Sequence, residues 1–320
     1  AAFHQVVQVP YGKEIDVTKT VRSKFIEAGH ILGSAMVLFK AGSTSILFSG
    51  DLGRPHDIVM NPPASVQKVD YVVVESTYGN RRHDSKDPKD TLAEVINRTA
   101  RRSGVLVVPA FAVGRAQSLL HYIHLLKKAG TIPEIPVFLN SPMAVSATQL
   151  YCKYQSEHRL SPEQCAGMCE AAKYVNSVEE SKALNGKAGP MIIISASGMA
   201  TGGRILHHLK AFAPDPKNTI LLPGFQAAGT RGAAMAAGAE TIKIHGEHIP
   251  VRAEMVKLDQ LSAHADSAEI LQWLGNLRSP PRKVFITHGE PVAADALRVR
   301  IGEELRWECE VPEYLQKVQL

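Results

Sequence analysis

Three histidines and two carboxylates stand at or beside the ends of predicted strands. They are His30, Asp51, Glu75, His264 and His288. Each lies within two residues of a glycine or a serine, in loops of the kind that carry function on a rigid scaffold. Imidazole nitrogens and carboxylate oxygens are ligands that zinc prefers, and a carboxylate can bridge two ions. These residue types therefore point to a metal centre that activates water and stabilises negative charge.

A structural interpretation competes with this one. A single histidine at a strand end is more often a hydrogen-bonded structural residue than a metal ligand. Five ionisable groups at strand ends are harder to explain in that way. Spacing alone leaves the two interpretations equally open.

A predicted β-hairpin brings the first two of these groups together. The segments 35–40 and 45–49 are short apolar runs rich in strand-forming residues, joined by the turn-prone segment 41–44. In a hairpin, the residues before the first strand and after the second lie at the same end. We therefore expect His30 and Asp51 to meet at one edge of a sheet.

The pattern changes from about residue 91, where continuous apolar strands begin to alternate with helices. The sequence predicts helices over 91–102 and 115–128, and strands over 105–108, 136–139, 191–194 and 220–222. This alternation is typical of a parallel α/β layer. Short strand-forming segments like those of the first 79 residues are found again from about residue 241. We therefore predict one domain from residues 1–79 and 241–320, with residues 80–240 inserted into it.

Bulk composition narrows the class of protein. The 320 residues are 45% hydrophobic and 21% charged, as in ordinary globular domains. The net charge of +5 is compatible with a polyanionic partner without requiring one. Apolar runs stay well short of the ~20 residues that span a bilayer, and the first residues do not resemble a secretory leader. We therefore predict a cytoplasmic protein without a membrane partner.

The four cysteines are too few for a disulfide framework and form no C-x-x-C pair. They are Cys152, Cys165, Cys169 and Cys309. The Cys165-x3-Cys169 pair stands too isolated in the sequence to suggest a zinc clip. We therefore predict reduced, buried thiols.

Five strings carry a family resemblance when taken in order: GHILGSA, FSGDLGR, ESTYGNR, LSAHADS and THGEP. They resemble the motifs of the β-CASP branch of metallo-β-lactamase-fold ribonucleases, which includes ribonuclease J and the endonuclease of pre-mRNA 3′-end cleavage. The similarity continues through PAFAVGRAQ, SASGM and GFQAAGTRG. It implies an α/β protein: a metallo-β-lactamase αββα sandwich, incomplete at its N-terminus, with an inserted Rossmann-like parallel domain. It also implies zinc-dependent hydrolysis of RNA, single-stranded by expectation, in a cleft between the domains.

The resemblance also implies roles for the five groups. His30 and His288 would each bind one of two zinc ions, and Asp51 would bridge both. His264 would lie near the scissile phosphate as the acid for the leaving oxygen, with Glu75 orienting it. This is a two-metal design for phosphodiester hydrolysis.

One family motif is missing from the sequence. The pattern H-x-H-x-D-H does not occur, and no two of the thirteen histidines form an H-x-H pair. We therefore expect the chain to be a fragment that lacks half of the metal site. The alternative is a metal-free RNA-binding scaffold or inactive family member. A hydrolase of small esters is a third option, which Glu75 and His264 disfavour.

The inserted segment has turns that suit phosphate, because strand-loop-helix units present backbone N–H groups at helix N-termini. Tight turns alone would also explain these glycines and serines. The nucleotide motifs G-x-x-x-x-G-K-[ST] and G-x-G-x-x-G do not occur. The predicted substrate-binding residues are Arg115, Ser195, Ser197, Gly198, Arg204 and Arg231. The sequence leaves open a homodimer, and whether cleavage is internal or from the 5′ end.

Overall fold

The computed structural model describes residues 2–320, and these fall into two compact units. Unit 1 contains residues 2–82 and Ala263–Leu320, and unit 2 is the intervening segment His83–Ser262. The chain thus leaves the first unit, builds the second and returns.

Unit 1 begins with five strands that follow a 3-10 turn at Ala2–Gln5. They are β1 (Glu14–Asp16), β2 (Val21–Glu27), β3 (Ala35–Ala41), β4 (Thr44–Phe48) and β5 (Tyr71–Glu75).

Unit 2 alternates helices and strands and includes 3-10 turns at Gln155–Glu157 and Asp259–Leu261. Its elements are α1 (Pro88–Arg101), β6 (Val105–Pro109), α2 (Arg115–Lys128), β7 (Val137–Leu139), α3 (Pro142–Lys153), α4 (Pro162–Glu170), β8 (Lys173–Tyr174), α5 (Val178–Asn185), β9 (Met191–Ser195), α6 (Ile205–Phe212), β10 (Thr219–Leu222), α7 (Arg231–Ala236), β11 (Thr241–Ile244), β12 (Glu247–Pro250) and β13 (Glu254–Lys257).

The return to unit 1 adds two helices and two strands. They are α8 (Ser267–Leu274), β14 (Lys283–Thr287), α9 (Pro291–Arg300) and β15 (Cys309–Glu310), with a π-helical turn at Ile301–Leu305.

A seven-stranded mixed sheet forms the frame of unit 1, in the order β1-β2-β3-β4-β5-β14-β15. The first four strands pair antiparallel, and the pairs from β4 onward are parallel. Strand β14 lies beside β5 in a register that pairs Thr287 with Glu75. Leu47 and Val72 from the sheet pack in one buried cluster with Ile270 of α8. The carboxyl ends of β4, β5 and β14 therefore reach the same edge.

Unit 2 is organised around an all-parallel sheet in the order β13-β10-β6-β9-β7-β8, with β11 and β12 as a separate hairpin. Its central strands are buried along their whole length, as in β6 and β9. Strands covered on both faces need continuous apolar runs, which is what their sequences contain. The predicted α/β class, with a mixed sheet and an all-parallel one, is confirmed.

The point of return differs from the sequence prediction. We expected the first domain to resume at residue 241, but residues 241–262 belong to unit 2. The reason is β13, which pairs in parallel with β10 from Thr219–Glu254 to Leu222–Lys257 and so forms an edge of the parallel sheet. The first change of unit comes after Arg82, against a predicted boundary after residue 79.

Among the helices that the structure describes, none has the length and apolar character required to cross a membrane.

Candidate active site

The loop that carries His30 follows β2 and is held by a serine. The hydroxyl of Ser34 accepts hydrogen bonds from the backbone N–H groups of His30 and Ile31, at 3.1 and 3.2 Å. Gly29 adopts a φ of +67°, which a residue with a side chain rarely adopts. The GHILGSA string therefore encodes a tight turn that fixes the histidine at the sheet edge.

The loop that carries Asp51 follows β4 and touches the first loop through two glycines. The backbone N–H of Gly53 donates to the carbonyl of Ala28 at 2.8 Å. A Cβ at Gly53 would overlap the carbonyl group of Gly29. The two loops can approach this closely because Gly53 has no side chain.

Asp51 lies between two histidines, one for each carboxylate oxygen. Its Oδ2 is 3.6 Å from Nε2 of His30, and its Oδ1 is 3.1 Å from Nδ1 of His288. The expected meeting of His30 and Asp51 at one sheet edge is thus observed. The carboxylate is placed to serve two partners at once.

His288 follows β14 in the left-handed region, with a φ of +51°. The hydroxyl of Thr77 donates to the His288 carbonyl at 3.2 Å and lies 3.4 Å from its Nδ1. The backbone N–H of Ser76 donates to the same carbonyl at 3.4 Å. The turn after β5 therefore supports the turn after β14.

Glu75 and His264 form a second pair beside the first group. Both oxygens of Glu75 lie near Nδ1 of His264, at 3.0 and 3.1 Å. The carboxylate is 1% exposed and also accepts from the N–H groups of Leu52 and Thr77, at 2.6 and 3.3 Å. Accepting from His264 Nδ1–H directs the other ring nitrogen away from Glu75.

The loop of His264 is anchored by the helix that follows it. Asp266 caps α8 by accepting from the N–H groups of Ala268 and Glu269, at 2.8 and 2.9 Å. The Glu269 side chain in turn accepts from the N–H of Asp266 at 2.8 Å, which completes a capping box. The N–H of Ala265 also donates to the carbonyl of Leu52 at 2.8 Å, which ties this loop to the Asp51 loop.

The charge states of these groups favour the binding of a metal cation. Burial, and then the neighbouring His264, lower the pKa of His30 to about 4 against the opposing charges of Asp51 and Glu75. His30 is therefore a neutral imidazole near pH 7, which is the form that binds metal. Burial raises the pKa of Glu75, but the hydrogen bond and charge of His264 outweigh it, so the pKa lies below its usual value.

The donor set fits zinc. Imidazole nitrogens and a carboxylate are zinc ligands, and one ligand atom each from His30, Asp51 and His264 lies within 4.8 Å of the others. The contact between Asp51 and His288 adds a second histidine on the far oxygen of the carboxylate. His264 can thus be read in two ways, as a ligand backed by a carboxylate or as an acid held by one.

The residues predicted to bind substrate in unit 2 lie mainly at the carboxyl ends of its strands. The Ser197 hydroxyl accepts from the N–H groups of Thr201 and Gly202, at 3.0 and 3.3 Å. A Cβ at Gly198 would meet the Phe111 ring at 2.7 Å, so this loop is closely packed. Arg115 is buried, with a guanidinium nitrogen 3.7 Å from the position of a Cβ at Gly224.

The other three predicted residues make contacts within unit 2. Ser195 is buried and donates to the Asn140 carbonyl at 2.8 Å. Arg204 donates to Asn140 Oδ1 at 2.9 Å and to two backbone carbonyls. Arg231 donates to one backbone carbonyl of β11 and to two of the loop after β9. Their polar atoms already serve the unit's own structure, so a role in substrate binding stays a prediction.

Sequence reasoning missed the supporting residues Ser34, Ser49 and Thr77. Ser49 accepts from the N–H of Glu75 at 3.1 Å and so fixes the end of β5. All three lie inside or beside the GHILGSA, FSGDLGR and ESTYGNR strings. Serine and threonine two to four residues from a candidate site residue were the available signal.

Two family models match the sequence. The Beta-Casp domain matches residues 116–235, and the Zn-dependent metallo-hydrolase RNA specificity domain matches residues 248–312. An RNase J-like protein of Methanocaldococcus jannaschii is 30% identical over an alignment of 326 positions, which covers 97% of this chain and 74% of that protein. The chain belongs to the β-CASP metallo-β-lactamase ribonuclease family. The family resemblance drawn from the ordered motifs is confirmed.

Two further relatives show the range of the family. Ribonuclease TTHA0252 of Thermus thermophilus is 37% identical over 277 residues, covering 83% of this chain and 62% of that protein. Transcription termination factor FttA of Methanosarcina mazei is 30% identical over 331 residues, covering 98% of this chain and 52% of that protein. The chain thus spans between about half and three quarters of the length of these relatives.

Proposed function

We propose that this chain supplies His30, Asp51 and His288 as part of the zinc centre of a ribonuclease that hydrolyses phosphodiester bonds of single-stranded RNA by a two-metal mechanism. The H-x-H-x-D-H pattern, which the family resemblance assigns to the rest of that centre, does not occur in this sequence. The observation that carries the proposal is the position of Asp51 between His30 and His288, with the Glu75–His264 pair beside them. A bridging carboxylate next to a carboxylate-held imidazole supplies both a metal centre and a proton carrier.

His30, Asp51 and His288 would hold zinc in this proposal. Bound zinc supplies charge for the phosphate oxygens and lowers the pKa of water, as two-metal phosphodiesterases require. The neutral state of His30 leaves its nitrogen available as a ligand near pH 7. Asp51 offers one oxygen toward each histidine.

His264 would handle the proton of the leaving group. Its Nδ1 is engaged by Glu75, which fixes the tautomer and leaves Nε2 to give a proton to the departing oxygen. The buried carboxylate also stabilises the charged ring, because little water is present to screen the attraction between the two charges. If His264 were instead a zinc ligand, its replacement would lower the zinc content of the protein as well as its activity.

RNA would be bound through backbone and basic groups of unit 2. The loops after β6, β9 and β10 lie at the carboxyl edge of a parallel sheet, where α/β proteins bind ligands. We propose that Arg115, Ser197 and Gly198 contact phosphate there. The matched RNA specificity domain and the net charge of +5 support a polyanionic substrate.

The test is cleavage of a single-stranded RNA by the purified, zinc-loaded full-length protein. We expect cleavage that a chelator abolishes, and loss of cleavage in His264→Ala and Asp51→Ala with retained cleavage in the matched surface variant Asp16→Asn. Zinc content should fall in Asp51→Ala and be retained in His264→Ala. RNA binding without cleavage by the zinc-loaded protein would overturn the proposal in favour of an RNA-binding scaffold.

A further inference from the structure

Three of the four cysteines converge in unit 2. Cys152 lies in the last turn of α3, and Cys165 and Cys169 lie one turn apart on α4. Their sulfur atoms all lie within 4.8 Å of one another, and those of Cys152 and Cys169 are in bonding contact. The prediction of reduced, buried thiols differs from the structure at Cys152 and Cys169, whose sulfur atoms are joined, and agrees with it at the free, buried Cys165.

Helix packing explains the cluster. Residues four apart on a helix share one face, so Cys165 and Cys169 point to the same side of α4. That side packs against α3, which ends next to Cys152. Cys165 is 1% exposed, whereas Cys152 and Cys169 are half-buried. The cluster thus has one enclosed member and two members that reach toward solvent.

The backbone geometry favours a shared ion over a simple disulfide. The Cα atoms of Cys152 and Cys169 are 7.4 Å apart, whereas bridged cysteines usually lie about 4.4–6.8 Å apart. A disulfide would also leave the third sulfur without a function. Zinc–sulfur bonds of about 2.3 Å in a tetrahedron place sulfurs close to 4 Å apart, so zinc would bind the reduced cysteines with the Cys152 and Cys169 sulfurs separated.

The chemistry of the enclosed thiol points the same way. Cys165 is 1% exposed, so its sulfur lies where water cannot stabilise a thiolate. A bound dication supplies the positive charge that a buried thiolate needs, because a coordinating thiol is deprotonated outright.

We propose that Cys152, Cys165 and Cys169 form a thiolate site for a soft divalent cation, with Zn²⁺ as the expected ion and water in the fourth position. The site would join the end of α3 to α4 across the irregular segment 154–161. It lies wholly within unit 2 and uses none of the groups assigned to RNA hydrolysis. Its role is to hold α4 in place, as structural zinc sites hold small elements together.

Cobalt provides a direct probe, because Co²⁺ bound to thiolates absorbs in the near ultraviolet whereas Co²⁺ bound by nitrogen and oxygen does not. The fully reduced protein should develop this sulfur-to-cobalt absorption on addition of Co²⁺ and lose it when Zn²⁺ displaces the cobalt. The absorption should be lost in Cys165→Ser and retained in Cys309→Ser, since Cys309 lies in unit 1 outside the cluster. An absorption unchanged in Cys165→Ser would refute the site.

A second measurement needs no variant and so does not depend on the folding of Cys165→Ser. Zn²⁺ should protect Cys152, Cys165 and Cys169 of the reduced protein from alkylation, as mapped by mass spectrometry, and leave the labelling of Cys309 unchanged. Equal labelling with and without Zn²⁺, or a Cys152–Cys169 disulfide that re-forms in the presence of Zn²⁺, would overturn the proposal.

Discussion

Glu75 places both carboxylate oxygens within 3.1 Å of Nδ1 of His264, and it does so from a site that is 1% exposed. The backbone N–H groups of Leu52 and Thr77 take up the remaining acceptor positions. The Glu75 carboxylate is thus fixed by several hydrogen bonds, and the His264 imidazole that is bonded to it has little freedom to rotate. Such orientation by a buried partner is how enzymes fix one tautomer of a histidine.

The first prediction concerns this pair. Glu75→Gln should reduce RNA cleavage by about 10²–10⁴-fold, the usual size of an acid–base contribution, because a neutral amide no longer stabilises the charged imidazole. Zinc content should be unchanged. Single-turnover cleavage together with metal analysis measures both effects. The exposed Glu303→Gln is the matched control, and a parallel loss of zinc would reassign His264 as a ligand.

The second prediction tests the bridging role of Asp51. Asp51→Asn should weaken zinc binding by at least about 100-fold, since even outer-shell changes approach that loss. Equilibrium dialysis against Zn²⁺ gives the affinity directly. Asp16→Asn makes the same chemical change on an exposed strand and should bind zinc as the unmodified protein does. Equal affinities in the two variants would remove Asp51 from the metal site.

The third prediction concerns the contact between the two loops. Gly53→Ala should force the His30 and Asp51 loops apart, because the added methyl overlaps the Gly29 carbonyl. We expect a loss of about 1–3 kcal/mol in the free energy of unfolding, as for other overpacked sites, together with weaker zinc binding. Denaturant unfolding and zinc titration measure these. At Gly302 a Cβ has no heavy atom within 4 Å, so Gly302→Ala should leave zinc binding intact.

The fourth prediction is a pH dependence of the stability of unit 2. His208 is 0% exposed, its Nδ1 lies 2.7 Å from Asn185 Oδ1, and its Nε2 lies 2.6 Å from the Asn140 amide nitrogen. Burial first, and then the charges of His207 and Arg204, lower its pKa from 6.5 to about 4. Between these two values the unfolded chain binds the proton and the folded chain does not, so stability falls as the pH drops.

The total loss between pH 6.5 and pH 4 should be about 3 kcal/mol. Urea unfolding followed at several pH values measures it. His208→Gln should remove the contribution of this histidine to the pH dependence. His207→Gln, on the exposed side of the same helix, should keep most of it, because burial is the largest cause of the lowered His208 pKa. Parallel pH curves for the unmodified protein and His208→Gln would show that this histidine is not the source.

Local signals were enough to predict several elements. The helix predicted over 115–128 is observed as Arg115–Lys128, and the hairpin strands differ from their prediction by one residue at their ends. Periodicity and turn residues within a short window determine such elements. The boundary at residue 241 failed because the partner of β13 is β10, more than thirty residues earlier, and pairing between distant strands leaves no local trace.

The candidate site was predictable in part for a similar reason. Parallel and hairpin strands bring their ends to one edge of a sheet. A histidine or carboxylate at a predicted strand end can therefore be assigned to that edge from the sequence. The contacts of Asp51 with both histidines depend on such ends. The supporting hydroxyl of Thr77 and the meeting of Cys152 with α4 depend on side-chain packing, which neither spacing nor periodicity reveals.

The pairing of β5 with β14 also determines the order in which the two units can fold during synthesis. These neighbours in one sheet are separated in the gene by the whole of unit 2, which is a continuous segment. On the ribosome, unit 2 can fold as soon as it emerges, while the β5 edge stays unpaired until β14 follows. His264 and His288 arrive with that last portion. The nascent chain therefore gains these two histidines, proposed to act in hydrolysis, only after the unit proposed to bind RNA is complete. A product of translation that stops within unit 2 lacks both of them.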